Sequence, residues 1–300
     1  MEVVIGKKAG FCAGVGNAVT KALEETKKRG YNEIYCLGEI VHNKQVVEKL
    51  KNNGLNFIEN IEEIKNKKGA KVIFRAHGIE KSIYEYAKNN EMQIIDLTCA
   101  NVKLIHNMGE EYSNKGYQIL LVGEKNHPET IATKSFCGTN CYGIEDKADL
   151  INTINKINNE NKKIKEAKDM VDKVLVLVQT TFNLEVFKEF ITYINENLKC
   201  EVVIKNTICN ATRLRQEETV KIAKQVEYMV IIGGKNSANT NKLYDISKEI
   251  CKNAIKIETK NDLTKDILDK IKSYDKIGIM AGASTPDESI NEVKKIIEEY

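Results

Sequence analysis

Short apolar runs, separated by polar turns and amphipathic stretches, recur from one end of this 300-residue chain to the other. No other feature restricts the fold as strongly. Ten runs read as strands: "EVVI" (2–5), "EIYCL" (33–37), "KVIF" (71–74), "QIID" (93–96), "QILLV" (118–122), "VLVLV" (174–178), "EVVI" (201–204), "YMVII" (228–232), "AIKI" (254–257) and "KIGIM" (276–280). Between them, stretches such as "NKQVVEKLKNN", "LEVFKEFITYINENL" and "ESINEVKKIIEEY" carry helical periodicity. Strands that alternate with helices predict α/β architecture with mainly parallel sheets, because parallel neighbours need a crossover between them.

In open α/β sheets, ligands collect at the carboxyl ends of strands, where loops lead into helices. In chain order those junctions hold Cys12, His42 in "GEIVHN", His77 in "RAHG", Cys99 in "LTCAN", His127 in "KNHPE", Thr180 in "QTTFN", Cys209 in "NTICNAT", Ser237 with Asn239 in "KNSANT", and Ser284 in "GASTPD". They form three sets, each opened by a cysteine, and the first interval in every set is 28 to 30 residues. This is a repeat of architecture, not of residue identity. Three small α/β domains are expected, at 1–97, 98–206 and 207–300, with the first strand able to pack with the third domain. The Asn/Lys-rich tract at 155–169 lengthens the second set and reads as an exposed loop or a solvated helix.

Composition removes several function classes. The net charge is only +3, from 46 basic and 43 acidic residues, which points to no nucleic-acid partner but leaves room for a small anionic ligand. No apolar run reaches the length of a membrane span. The chain begins a strand almost at once and carries no secretory signal, so a cytoplasmic location is expected. The eight cysteines are then not expected to form structural disulfides.

Three cysteines stand apart. Cys12, Cys99 and Cys209 each lie where a strand turns into a helix. The positive end of a helix favours thiolate, the form that binds metal. Three thiolates can hold zinc with one position open, or three irons of a 4Fe–4S cluster with the fourth iron free. Spacing does not choose between these, or between them and three buried structural cysteines. Core packing is expected for Cys36, Cys200 and Cys251. Cys137-x-x-x-Cys141 looks more like a site, but no matching pair accompanies it.

There are four histidines. His42, His77 and His127 lie at loop tips after strands; His106 lies inside the helix after Cys99 and reads as a packing residue. Histidine loops, together with Ser, Thr and Asn at helix starts, suit an anion. Thr285-Pro286-Asp287-Glu288 reads as a capping box with proline at the first helical position, which leaves Ser284 to face a ligand. Glu129 follows His127 by two residues and is a candidate acid for proton delivery. Thr180 is placed to orient Glu129 or a substrate through its hydroxyl.

The motifs "GFCAGV", "GEIVHN", "RAHG", "DLTC", "HPE", "QTT", "NTICNATRLRQ", "NSANTNKL" and "AGASTPD" occur in this order from the first strand to the last helix. Together they resemble the 4-hydroxy-3-methylbut-2-enyl diphosphate reductases, enzymes of the methylerythritol phosphate route to isoprenoids. The resemblance implies three α/β domains in pseudo-threefold array around an oxygen-sensitive 4Fe–4S cluster. It puts Cys12, Cys99 and Cys209 on the cluster, and His42, His77, His127, Ser237, Asn239 and Ser284 on the substrate's diphosphate. Glu129 falls on the acid, and Thr180 on a hydroxyl beside the substrate's alcohol. Two electrons are then needed from a separate carrier such as ferredoxin or flavodoxin, since no intact nucleotide fingerprint is present. Gly16-Asn17, Ala100-Asn101 and Ala238 depart from the usual pattern, as does the continuation of "HPET". None of these removes a cysteine or the acid. The competing reading is a zinc enzyme that uses the same three cysteines on a phosphorylated small molecule.

Overall fold

The structure is a computed structural model that describes residues 1–28, 33–67, 69–167 and 173–300. In chain order the elements are β1 (Glu2–Ile5), α1 (Ala13–Lys27), β2 (Ile34–Leu37), α2 (Lys44–Asn52), β3 (Leu55–Ile58), β4 (Lys71–Phe74), α3 (Lys81–Asn89), β5 (Gln93–Asp96), α4 (Ala100–Asn114), β6 (Gln118–Val122), α5 (Pro128–Phe136) and β7 (Cys141–Ile144). They continue with α6 (Lys147–Ala167), β8 (Lys173–Val178), α7 (Leu184–Asn197), β9 (Glu201–Ile204), α8 (Asn210–Ala223), β10 (Tyr228–Ile232), α9 (Ala238–Cys251), β11 (Ala254–Ile257), α10 (Lys265–Lys272), β12 (Lys276–Ala281) and α11 (Asp287–Glu299).

The strands form three four-stranded sheets in the orders β3-β2-β4-β5, β7-β6-β8-β9 and β11-β10-β12-β1. The order is the same each time. The first strand of a set is internal, the second flanks it at one edge, and the third and fourth follow on the other side. In the last sheet the fourth place is taken by β1, which pairs in parallel with β12 from Glu2↔Lys276 to Ile5↔Ile279. The internal strands read as unbroken apolar runs because both faces are covered. Leu120, Val176 and Val230, for example, are fully buried.

Register sets where the loops gather. Leu37 pairs with Phe74, Val122 with Val178, and Ile232 with Ala281. The residue after each first strand is glycine (Gly38, Gly123, Gly233), and a helix starts a few residues later. Its N-cap is Asn43 for α2, His127 for α5 and Ser237 for α9, and each cap side chain accepts a backbone N–H of the first turn.

The structure differs from the sequence reading at three places. β3 ("LNFI") and β7 ("CYGI") are additional strands, both at sheet edges. Of the two readings of the 155–169 tract, the helix holds up to residue 167, as the second half of α6, although its Ile157 lies in the core and not in solvent; Lys168 and Asp169 lie outside the described residues, as do Arg29 and Gly30 at the end of the first helical stretch. The capping box at Thr285 does not form. Pro286 is the N-cap of α11, and the Thr285 hydroxyl instead donates to the carbonyl of Ile232 at 3.1 Å. That bond ties the turn after β12 to the end of β10.

The chain separates into two compact units, one of Met1–Asn60, Ala70–Ala76 and Asn210–Tyr300, the other of Ile61–Gly69 and His77–Cys209. Among the described residues no helix is long and apolar enough to cross a membrane.

Gly233 has φ +156°, and a Cβ there would lie 2.4 Å from Thr240 Oγ1. Gly54 has φ +90° with open space around it. Replacing each by alanine separates backbone strain from overlap. We expect Gly54→Ala to cost about 1 kcal/mol and Gly233→Ala about 2–4 kcal/mol, read as loss of thermal stability against the parent protein.

Candidate active site

In the first unit the chain brings His42, Ser237, Asn239, Ser284 and Cys12 to the carboxyl ends of its strands. The Ser284 hydroxyl donates to the carbonyl of His42 at 3.3 Å. The backbone of Gly234 passes so close to that carbonyl that a Cβ would meet its oxygen at 2.2 Å. The Ser289 hydroxyl donates to Gln45 Oε1 at 2.8 Å. The His42 loop and the starts of α9 and α11 are thus held as one surface. Burial holds the His42 imidazole below its ordinary pKa; Glu39 pulls the other way, and the nearby Arg75 guanidinium adds to the lowering. A neutral imidazole donates one N–H to an anion.

Asn239 sits in the first turn of α9. It is 4% exposed, and both ends of its side-chain amide lack a hydrogen-bond partner. The hydroxyl of the adjacent Thr240, fully buried, also has none. An unpaired buried polar group costs about 1–3 kcal/mol. At a helix N-terminus, where N–H groups converge, the Asn239 amide nitrogen is a candidate donor to an anion, whereas the Thr240 hydroxyl lies against Gly233 and Gly282. Ser237 spends its own oxygen on the N–H of Thr240 at 3.3 Å, so its hydroxyl hydrogen is the part available to an anion.

The second unit holds His77, Cys99, His127, Glu129, Thr180 and Cys209. The rings of His77 and His127 meet edge to face, 5.5 Å between centroids. His127 Nδ1 accepts the N–H of Glu129 at 3.1 Å, which puts the proton of the neutral ring on Nε2. Glu129 is 3% exposed. Its Oε1 accepts the N–H of Thr180 at 2.6 Å, and its Oε2 accepts the Thr180 hydroxyl at 2.6 Å. Burial pushes its carboxyl up to about 7, against the lowering effect of these two bonds. The carbonyl of Thr180 in turn accepts the N–H of Cys209 at 3.1 Å. One threonine therefore touches the acid with its N–H and hydroxyl, and a candidate ligand loop with its carbonyl.

Two residues of this unit escaped the sequence reading. Gln179 accepts the N–H of Glu124 at 2.9 Å, which shapes the "GEKNHPE" loop. Thr207 accepts the N–H of Val178 at 2.9 Å, which ties the strand-end segment before Cys209 to β8. Their signal was position alone: Gln179 is next to Thr180, and Thr207 two before Cys209. His106 stacks on Phe136 at 4.4 Å and lies under Gly78. Burial pushes it down to about 4, so it packs as a neutral ring.

The cysteines divide by surroundings. Cys12 is the N-cap of α1, with its sulfur accepting the N–H of Val15 at 3.5 Å. Cys99 is the N-cap of α4, and Cys209 is the residue before α8. All three are partly exposed and outside any disulfide. Cys36, by contrast, is fully buried, and burial pushes its thiol up to about 12. Cys137 and Cys141 are buried with Ile105, Leu121 and Leu177, and Cys137 donates to the carbonyl of Thr133 at 3.2 Å. Cys200 and Cys251 pack against apolar clusters. Three accessible soft donors at helix starts fit a thiolate-ligated metal group; the other five fit packing.

Comparison with known proteins gives a consistent set of relatives. The family described as LytB protein matches residues 3–298. The 4-hydroxy-3-methylbut-2-enyl diphosphate reductase of Caldanaerobacter subterraneus subsp. tengcongensis is 42% identical, covering 98% of this chain and 95% of its own length. A solved structure of (E)-4-hydroxy-3-methyl-but-2-enyl diphosphate reductase, described as the terminal enzyme of the non-mevalonate pathway, is 40% identical with a TM-score of 0.67 over the whole of both chains. The corresponding diphosphate reductase from Plasmodium falciparum is 27% identical with a TM-score of 0.83, over 98% of this chain and 87% of the other.

The Glu129 geometry predicts a pH signature in stability. Its carboxyl is raised in the folded state from the ordinary 4.5 to about 7, so the folded protein holds a proton that the unfolded chain has released. The stabilising contribution is complete below the unfolded value and is lost as pH climbs through about 7. Glu129→Gln keeps one acceptor and one donor toward Thr180 and does not titrate. Its stability relative to the parent should rise by on the order of 3 kcal/mol between about pH 4.5 and pH 8, measured by anaerobic denaturation at each pH.

Proposed function

The chain belongs to the LytB protein family, and on that premise we propose that it reduces (E)-4-hydroxy-3-methylbut-2-enyl diphosphate to isopentenyl diphosphate and dimethylallyl diphosphate. Two electrons and two protons enter, the allylic C–O bond breaks, and water leaves. The observation that carries this reading is the buried Glu129–Thr180 pair: a carboxylic acid raised to about 7 and fixed by two bonds of 2.6 Å.

The chain's own residues divide the work. The diphosphate calls for hydrogen-bond donors, and Asn239, Ser237, Ser284, His42, His77 and His127 are the candidates. When Glu129 is protonated its proton rests on Oε2, because Oε1 is occupied by the N–H of Thr180, and the bond that the Thr180 hydroxyl donates to the ionised acid then runs the other way, from Oε2 to Oγ1. From there the proton reaches the Thr180 hydroxyl, 2.6 Å away, which can pass a proton to the departing oxygen. Burial excludes bulk water from this pair and keeps the proton in place until the substrate oxygen needs it. Cys12, Cys99 and Cys209 would hold the metal group. Once bound, a 4Fe–4S cluster supplies the electrons and an iron with an open position. The electrons originate in a separate carrier, ferredoxin or flavodoxin being the fitting class. Eight cysteines outside any disulfide suit a reducing compartment such as the cytoplasm.

Two measurements test this. Anaerobically purified protein should contain about four iron and four sulfide per chain, and Cys209→Ser should lose most of both; zinc without sulfide would replace the cluster with the competing zinc reading. Glu129→Gln should lower kcat by about 10²–10⁴-fold with the cluster and diphosphate affinity retained. Near-normal turnover in that variant removes Glu129 from the acid role.

A further inference from the structure

The loop that delivers Cys12 is held by side chains of a helix more than 200 positions away in sequence. Arg215, on α8, is 3% exposed. Its Nε donates to the carbonyl of Lys8 and its Nη2 to the carbonyl of Gly10, each at 2.8 Å, while Nη1 donates to Ala211 O at 3.2 Å within the helix. One turn along the same face, Glu218 accepts the N–H of Lys7 on Oε1 at 3.0 Å and the N–H of Lys8 on Oε2 at 2.7 Å. The loop's ends are closed by backbone bonds: Gly6 N–H to Ile279 O at 3.0 Å and Cys12 N–H to Ala283 O at 3.2 Å. All these groups belong to the first unit.

We infer that Arg215 and Glu218 are positioning residues for Cys12. The loop "GKKAGFC" has neither helix nor strand to fix it, and it is exposed at Lys7 and Lys8. A guanidinium fork across two carbonyls and a carboxylate across two consecutive N–H groups remove its freedom on both sides. Each is a charge-assisted, two-pronged contact, and lysine in place of Arg215 supplies one point donor where two directed ones are needed. The carboxylate also sits in a nest of successive N–H groups, which orients their dipoles. The pair sits three residues apart, on one face of α8. It sets the start of α1, and with it the direction of the Cys12 sulfur. The inference deepens the proposed function, since it takes Cys12 as a metal ligand.

The test uses the full-length chain as purified anaerobically, with Arg215→Lys and Glu218→Gln, and Arg213→Lys as control. Arg213 lies on the same helix but pairs with Glu217 and Asn210. Two readouts are taken. In protein stripped of iron, the rate of Cys12 alkylation by iodoacetamide, mapped by mass spectrometry, should rise at least fivefold in both variants, with Cys99 and Cys209 unchanged. In loaded protein, iron release to a chelator should accelerate at least fivefold while the melting temperature stays that of the control. Unchanged Cys12 alkylation in both variants overturns the inference. If neither variant folds, hydrogen exchange in the parent protein decides it: amides of Lys7 and Lys8 protected at least a hundredfold support the clamp, and unprotected amides overturn it. A parent protein that holds no iron, but whose variants still alkylate faster, overturns the proposed function and leaves the clamp standing.

Discussion

Parallel pairing between the first and third strand of each sheet is the constraint on which the other features depend. Because β2 runs with β4, β6 with β8 and β10 with β12, the carboxyl ends of paired strands stop side by side, and both loops that leave a pair emerge at the same edge. His42, His77, His127, Thr180, Ser237 and Ser284 each lie beyond such an end, and Cys12, Cys99 and Cys209 lie beyond the edge strands β1, β5 and β9. The helices beyond those loops contribute free N–H groups and a positive dipole end at the same edge. The proposed anion and thiolate sites therefore require no special scaffold here. They require only that the right side chain follow a strand.

This explains why much of the molecule was legible in the sequence. Internal strands such as "VLVLV" and "YMVII" are buried on both faces and show as apolar runs. The junction residues could be found just past the end of each run. β3 and β7 were not legible for the same physical reason: an edge strand needs only part of its surface buried, and Asn56 in β3 and Gly143 in β7 break the apolar signal. Thr285 illustrates a different limit. Its local sequence suits a capping box, but its hydroxyl has a tertiary acceptor in Ile232 O, which no local pattern contains. The clamp on the Cys12 loop is of that kind too, joining Lys8 to Arg215 across the chain.

The two units place different electrostatic demands on their polar residues. Around Asn239 and Thr240, donors and acceptors are buried without a protein partner, a cost that an acceptor or donor brought from outside the chain recovers. Around Glu129 the polar atoms are satisfied twice over, and yet the carboxyl is raised. Desolvation outweighs two short hydrogen bonds, both of which come from neutral donors. The first arrangement favours capture of charge, the second retention of a proton.

Retaining a proton matters only if its release is coupled to the reacting group, and in the proposed reaction that coupling runs through the hydroxyl of Thr180, whose backbone has other partners. Its N–H is committed to Glu129 and its carbonyl to the N–H of Cys209. These two bonds use different peptide groups, one on each side of the Thr180 Cα, so a single residue fixes both the acid and the start of the Cys209 loop. Substitution of Thr180 by valine would leave this backbone link whole while removing the hydroxyl. The hydrogen bond that the hydroxyl makes to the acid is thus separable, in one residue, from the bond by which the main chain holds the Cys209 loop.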